Sequence, residues 1–225
     1  GSARPAFTSR SCQTLAVKGN RLLLSREDIE TPRSPSELAQ FVERVRESVR
    51  LNPSEREAGM LRRGYYKEFL DEVVPLARFA VQTYPETYRV QPVLGNQGYD
   101  AIVRNADDQI VDKVEIANPI DGKATSSAAR EVAEHGIGGL RIGDPGDETE
   151  DPIPIIQRTA AKKAVKDYSD ATVLFNVSAL PPFKGFETRH EAQIERIRQA
   201  LAAAGFKAKR VFILHPPERL ERVDG

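Results

Sequence analysis

The stretch of sequence that decides the fold is YRVQPVLGNQGYDAIVRNADDQIVDKVEIAN, residues 88–118. Apolar and β-branched residues dominate residues 88–94, 99–104 and 109–118, and the segments GNQG and NADD separate them. Glycine, asparagine and aspartate are typical of the tight turns that join neighbouring strands. The pattern therefore predicts three consecutive strands that pair as an antiparallel meander.

Helical patterns precede this meander. We expect Ser36 to cap a helix that ends near Arg50, and Asn52 to open a second, longer helix that is kinked at Pro75. Residues 1–35 are rich in Ser, Arg, Thr and Pro, which is typical of a loosely held arm. The first helix and this arm form a predicted N-terminal extension, residues 1–52.

Further elements follow the meander. A helix over about residues 152–168 leads to a buried strand, 172–177, which we expect to run parallel to a meander strand through a right-handed crossover. A helix at 187–204 and a strand at 210–214 are appended to it. The order predicts an α/β domain over residues 53–225, with an αβββαβ core and a mixed sheet. The Gly-rich segment between the meander and the helix at 152–168, residues 119–151, is predicted to contain one short helix, 127–134.

Composition limits the possible functions. The 33 basic and 33 acidic residues cancel, so a basic groove for nucleic acid would have to be local. A single cysteine, Cys12, excludes a disulfide framework and favours a reducing, cytoplasmic location. No apolar run approaches the roughly 20 residues that span a bilayer. Gly1-Ser2 resembles the remnant of a cleaved tag, which leaves room for an upstream domain or a protein partner.

Two carboxylates fall on neighbouring predicted strands, Asp100 at the start of the second and Glu115 within the third. Neighbouring strands lie about 5 Å apart, and like charges at that distance need a cation. We therefore expect the two carboxylates to lie in an accessible cleft, with the pKa of at least one raised by mutual repulsion. Glu115 lies in a strand suited to burial, where an unpaired carboxylate is costly. Asp100 as a turn residue, and Lys113 as the partner of Glu115, are the alternative interpretations.

The order of elements resembles the PD-(D/E)XK nuclease-like, or restriction endonuclease-like, superfamily over about residues 54–180. The residues that carry the resemblance are Tyr99-Asp100-Ala101 in the second strand and Val114-Glu115-Ile116-Ala117 in the third. It implies a hydrolase that cleaves DNA or RNA with Mg²⁺ or Mn²⁺. The ligands that it implies are Asp100, Glu115 and the backbone carbonyl of Ile116, with Glu72 or Glu68 of the preceding helix as an auxiliary acid. The alternative for Glu72 is a salt bridge to a neighbouring Arg or Lys.

The resemblance has one departure, because Ala117 stands where the superfamily has a lysine two residues after the glutamate. Lys113 lies on the same face of the strand as Glu115, and Lys163 lies on the following helix, so either is a candidate replacement. Gln157 falls within the apolar stripe of that helix, and His135 ends the short helix at 127–134. The alternative function is a catalytically inactive nuclease-like domain that binds nucleic acid or a protein partner, and an ordinary salt-bridge cluster is also open.

Overall fold

The computed structural model describes residues 24–120, 151–177, 186–215 and 219–223, with only the backbone at 186–190. Within these described residues, six strands form a single mixed sheet in chain order. They are β1 (Arg89–Pro92), β2 (Ala101–Arg104), β3 (Ile110–Ala117), β4 (Asp167–Asn176), β5 (Lys207–His215) and β6 (Arg219–Arg222). Strands β1 to β3 form the predicted antiparallel meander, and β4 pairs in parallel with β3. Strand β5 is parallel to β4, and β6 is antiparallel to β5.

The helices are α1 (Arg26–Glu30), α2 (Pro35–Leu51), α3 (Pro53–Met60), α4 (Tyr66–Glu68), α5 (Val74–Thr83), α6 (Ile153–Ala164) and α7 (Phe186–Ala202). A π-helical turn, Phe69–Val73, joins α4 to α5. Helix α2 begins at a capping box in which Ser34 and Glu37 bond each other's backbone N–H groups. Among the described residues no helix combines the length and the apolarity that crossing a bilayer requires.

The sheet separates two apolar clusters. Helices α2 to α5 pack on one face, where Val114 and Ile116 of β3 contribute to the cluster. Helices α6 and α7 pack on the other face, where Ala117 of β3 contributes. Side chains alternate along a strand, so Glu115 faces α6 while the neighbouring apolar residues face α5. This alternation sets the surroundings of the candidate site.

Four predicted details differ from the structure. The cap of α2 is Ser34 rather than Ser36, because Pro35 occupies the first helical position. The helix after Asn52 is not continuous, because the chain turns at Arg62 and Gly64, which have positive φ angles of 54° and 57°. Helix α6 ends at Ala164, four residues earlier than predicted. The last predicted strand is longer, and β6 follows it.

The N-terminal helix belongs to the body of the fold. Leu38, Phe41 and Val42 of α2 are buried in the cluster beneath the sheet, together with Leu24. Arg33 forms a β-bridge with Val90 of β1. The predicted helix at 127–134 and His135 lie outside the described residues.

The π-helical turn is held by the end of β3. Pro75 has no N–H, so the carbonyl oxygen of Asp71 lacks its usual donor four residues ahead. Asn118 Nδ2 donates to that oxygen at 2.8 Å. Asn176 Nδ2 in turn donates to Asn118 Oδ1 at 2.9 Å. The distortion that Pro75 was predicted to cause is therefore a wider turn that is tied to the sheet, and it contains Glu72.

Candidate functional site

Glu115 lies within β3, opposite Val173 of β4, and is 4% exposed. Lys163 of α6 forms an ion pair with its Oε1 atom, and the hydroxyl of Tyr168 donates to the same atom at 3.2 Å. A buried carboxylate is costly unless it is paired and hydrogen-bonded. Lys163 and Tyr168 therefore stabilise the negative charge of Glu115. The second oxygen, Oε2, has no hydrogen-bond donor among the described residues.

Asp100 lies directly before β2 and is half-buried. Its Oδ2 atom accepts a hydrogen bond of 2.6 Å from the backbone N–H of Ile116. Burial, and after it the charge of Glu115, raises the pKa of Asp100 to about 6, whereas the N–H of Ile116 and the charges of Lys163 and Lys166 act in the opposite direction. The sequence predicted a raised pKa from mutual repulsion at this pair; the rise is present at Asp100, with burial as its larger cause.

Glu72 lies in the π-helical turn and is half-buried. Burial, followed by the charges of Asp100 and Glu68, raises the pKa of Glu72 to about 7. No ion pair neutralises Glu72 within the described part of the chain, so the salt bridge that the sequence allowed for it is not formed there. Glu68 is close by, and its Oε2 atom is buried without a hydrogen-bond partner. Glu72 thus lies near Asp100, and Glu68 precedes it in the chain.

Lys163, rather than Lys113, is the partner of Glu115. The Nζ atom of Lys113 lies 2.6 Å from Oδ2 of Asp170 and 5.3 Å from the centre of the Tyr99 ring. Asp170 is available because β4 begins at Asp167, earlier than the sequence pattern indicated. The same early start explains why Tyr168, predicted at a helix end, contributes to the site from a strand.

Two further predicted features differ from the structure. Glu115 is buried and does not line an open cleft, whereas Asp100 retains partial exposure. Gln157 is exposed, because Ile156 and Ala160 provide the face of α6 that packs on the sheet. Ile116 contacts Asp100 through its N–H, and a role for its carbonyl as a ligand stays a prediction.

A preformed metal site is not evident. Within residues 24–120, 151–177, 191–215 and 219–223, no three or more His, Cys, Asp and Glu side chains are arranged to hold a metal ion. Asp100 Oδ1 and Glu115 Oε2 nevertheless lack a hydrogen-bond donor in this part of the chain. Two such oxygens fit a hard cation that completes its shell with water and substrate oxygens.

Comparison of the chain with protein-family models, with curated proteins and with solved structures gave no match. The function is therefore argued from the residues of the site.

Proposed function

We propose that this protein is a metal-dependent nuclease that hydrolyses phosphodiester bonds of DNA or RNA with an atypical active site. The proposal rests chiefly on the proximity of Asp100 and Glu115: Asp100 directly precedes β2 and accepts a hydrogen bond of 2.6 Å from the backbone N–H of Ile116, the residue after Glu115 in β3. Each of the two carboxylates keeps one oxygen free of protein donors among the described residues. Carboxylates at this spacing favour a shared cation.

The residues that would hold Mg²⁺ or Mn²⁺ are Asp100, Glu115 and the carbonyl of Ile116. When bound, the metal would lower the pKa of a coordinated water and stabilise negative charge on the phosphate. Hard oxygen ligands such as these suit Mg²⁺ and Mn²⁺.

The protein's own residues would contribute proton transfer and a positive charge. Lys163 supplies an ammonium group beside Glu115 and so replaces the lysine that is missing at Ala117. Glu72 can bind or release a proton near neutral pH, because its pKa is about 7. Tyr168 orients Glu115 through its hydroxyl. Together, Lys163, Glu72 and Tyr168 are suited to assist hydrolysis at the phosphate.

A second candidate function is a catalytically inactive nuclease-like domain that binds nucleic acid or a protein partner. The observation that favours it is the ion pair of Lys163 with Glu115, which already neutralises the buried carboxylate. A metal that binds there must compete with this ammonium group for Glu115. Loss of the lysine at position 117 agrees with either function.

Metal binding and cleavage separate the two. We expect calorimetric titration with Mn²⁺ to detect one site in the wild type and none in the double variant Asp100→Asn, Glu115→Gln. The matched control is Asp170→Asn, since this exposed carboxylate pairs with Lys113 and lies outside the proposed ligand set. Cleavage of plasmid, single-stranded DNA and RNA is then measured with Mg²⁺.

The results discriminate as follows. Metal-dependent cleavage that the double variant loses and Asp170→Asn retains supports the nuclease. Equal Mn²⁺ affinity in all three proteins excludes the metal site. Nucleic-acid binding without cleavage favours the inactive domain, and Ala117→Lys is then the variant in which to look for restored nicking.

A further inference from the structure

Helix α6 and the residue pair that follows it carry a row of exposed cations. The row consists of Arg158, Lys162 and Lys166, at intervals of four residues. None of the three forms an ion pair with any residue that the structure describes. Elsewhere on the described surface many basic side chains are compensated, as in the pairs Arg46–Glu43, Arg50–Glu47 and Arg89–Glu37. The α6 row therefore retains positive charge on a chain of zero formal net charge.

The row leads towards the candidate site. A step of four residues in a helix advances about 6 Å and rotates by about 40°. Arg158 therefore lies on the side of α6 opposite the core. The later cations lie progressively closer to the side of Lys163, which pairs with Glu115. Lys166 follows the end of α6, and its backbone N–H donates to the carbonyl oxygen of Lys163 at 3.0 Å. One end of the row thus lies next to the lysine that pairs with Glu115.

We propose that Arg158, Lys162 and Lys166 bind the phosphate backbone of a nucleic-acid strand and guide it to the Asp100–Glu115 site. The guiding role rests on the proposed function, whereas the binding role does not. Lysine and arginine contacts to phosphates supply sequence-independent affinity. The cations of α6 are about 6 Å apart along the helix axis, which is short enough for them to contact phosphates of one strand together.

The surroundings of the row favour nucleic acid over a lipid surface. Membrane-bound amphipathic helices present a face of several large apolar residues to the bilayer. The exposed side of α6 and the turn after it offers one, Val165, which is 85% exposed. A single file of cations beside an acidic site instead matches a linear polyanion whose reacting phosphate is held by a metal.

The experiment measures the salt dependence of binding to a fluorescent oligo(dT) of about 30 nucleotides, in EDTA so that no metal contributes. The test variant is Arg158→Gln, Lys162→Gln, Lys166→Gln. The matched control, Arg44→Gln, Arg50→Gln, Arg56→Gln, removes the same charge from exposed positions of α2 and α3. Far-ultraviolet circular dichroism checks that both variants fold.

We expect the wild type and the control to share one slope of log K against log[salt]. Three lost phosphate contacts should reduce that slope by about 2 in the α6 variant, at roughly 0.7 per contact for a single strand. Its affinity at about 0.1 M salt should fall at least tenfold. Binding that is weakened equally in both triple variants would show a general charge effect and overturn the proposal.

Two other results would also overturn it: absence of oligonucleotide binding by the wild type at low salt, and α6-dependent binding to phosphatidylserine vesicles alone. The outcome is separable from that of the proposed function. Oligonucleotide binding that depends on the α6 row, without metal-dependent cleavage, supports the row and removes the nuclease. Cleavage with an unchanged rate and salt slope in the α6 variant supports the nuclease and removes the row.

Discussion

Replacing Lys163 by methionine should destabilise the fold, because it leaves the charge of Glu115 buried and unpaired. The Glu115 side chain is 6% exposed and that of Lys163 is 22% exposed. Removing one partner of a buried ion pair costs roughly 3–5 kcal/mol. Tyr168 still donates to Glu115 and Lys163 is partly solvated, so we expect a loss of about 2–3 kcal/mol in the free energy of unfolding near pH 8.

Removal of the buried charge should reverse the loss. Glu115→Gln in the Lys163→Met background removes that charge. The double variant should then lie within about 1 kcal/mol of the wild type.

The assay is urea unfolding followed by far-ultraviolet circular dichroism, since the chain contains no tryptophan. Lys162→Met is the control, because this neighbouring lysine is exposed and forms no ion pair among the described residues; its effect should stay within about 0.5 kcal/mol. If Lys163→Met and Lys162→Met are equally stable, or if Glu115→Gln fails to restore stability, the ion pair does not support the fold as argued.

Three further predictions concern other contacts of the site and its support. The pKa of Glu72 in the folded protein is about 7, above the ordinary value of a glutamate, so ionisation of Glu72 lowers the stability of the fold as the pH rises from about 4.5 to 7. Glu72→Gln should therefore be more stable than the wild type at about pH 8 and equally stable at about pH 4. Urea unfolding midpoints measure the difference. Asn118→Ala removes the hydrogen-bond donor to the carbonyl oxygen of Asp71 and should cost about 1–2 kcal/mol. The cost should be smaller in a Pro75→Ala background, where residue 75 regains a backbone N–H. An equal loss in both backgrounds would contradict this account of the π-helical turn. Asp112→Ala should cost about 3 kcal/mol, because this carboxylate, with a 1% exposed side chain, pairs with Arg210 and accepts a hydrogen bond of 2.7 Å from the hydroxyl of Tyr84. A change in oligonucleotide affinity would show that Asp112 also acts on the site.

Local patterns predicted most of the sheet. The turn residues between 88 and 118 impose a meander, because tight turns permit only antiparallel pairing of neighbouring strands. The burial of Glu115 could also be predicted from the sequence, since its neighbours Val114 and Ile116 are apolar. Segment ends were less accurate: the start of β4 and the added strand β6 depend on contacts with distant residues.

The sequence by itself determined that Asp100 and Glu115 would occupy adjacent strands, because side-chain alternation and short turns are local properties. Only the tertiary structure decided which cation meets Glu115. The sequence favoured Lys113, which strand alternation places on the face of Glu115, over Lys163, whose position depends on the rotation of its helix. In the structure that rotation, together with the early start of β4, pairs Lys113 with Asp170 and Lys163 with Glu115. The π-helical turn that contains Glu72 was likewise hidden, since it depends on Asn118, distant in sequence, satisfying a carbonyl that Pro75 leaves without a donor. Such contacts join residues far apart in the chain, and a pattern with a period of two or 3.6 residues carries no information about them.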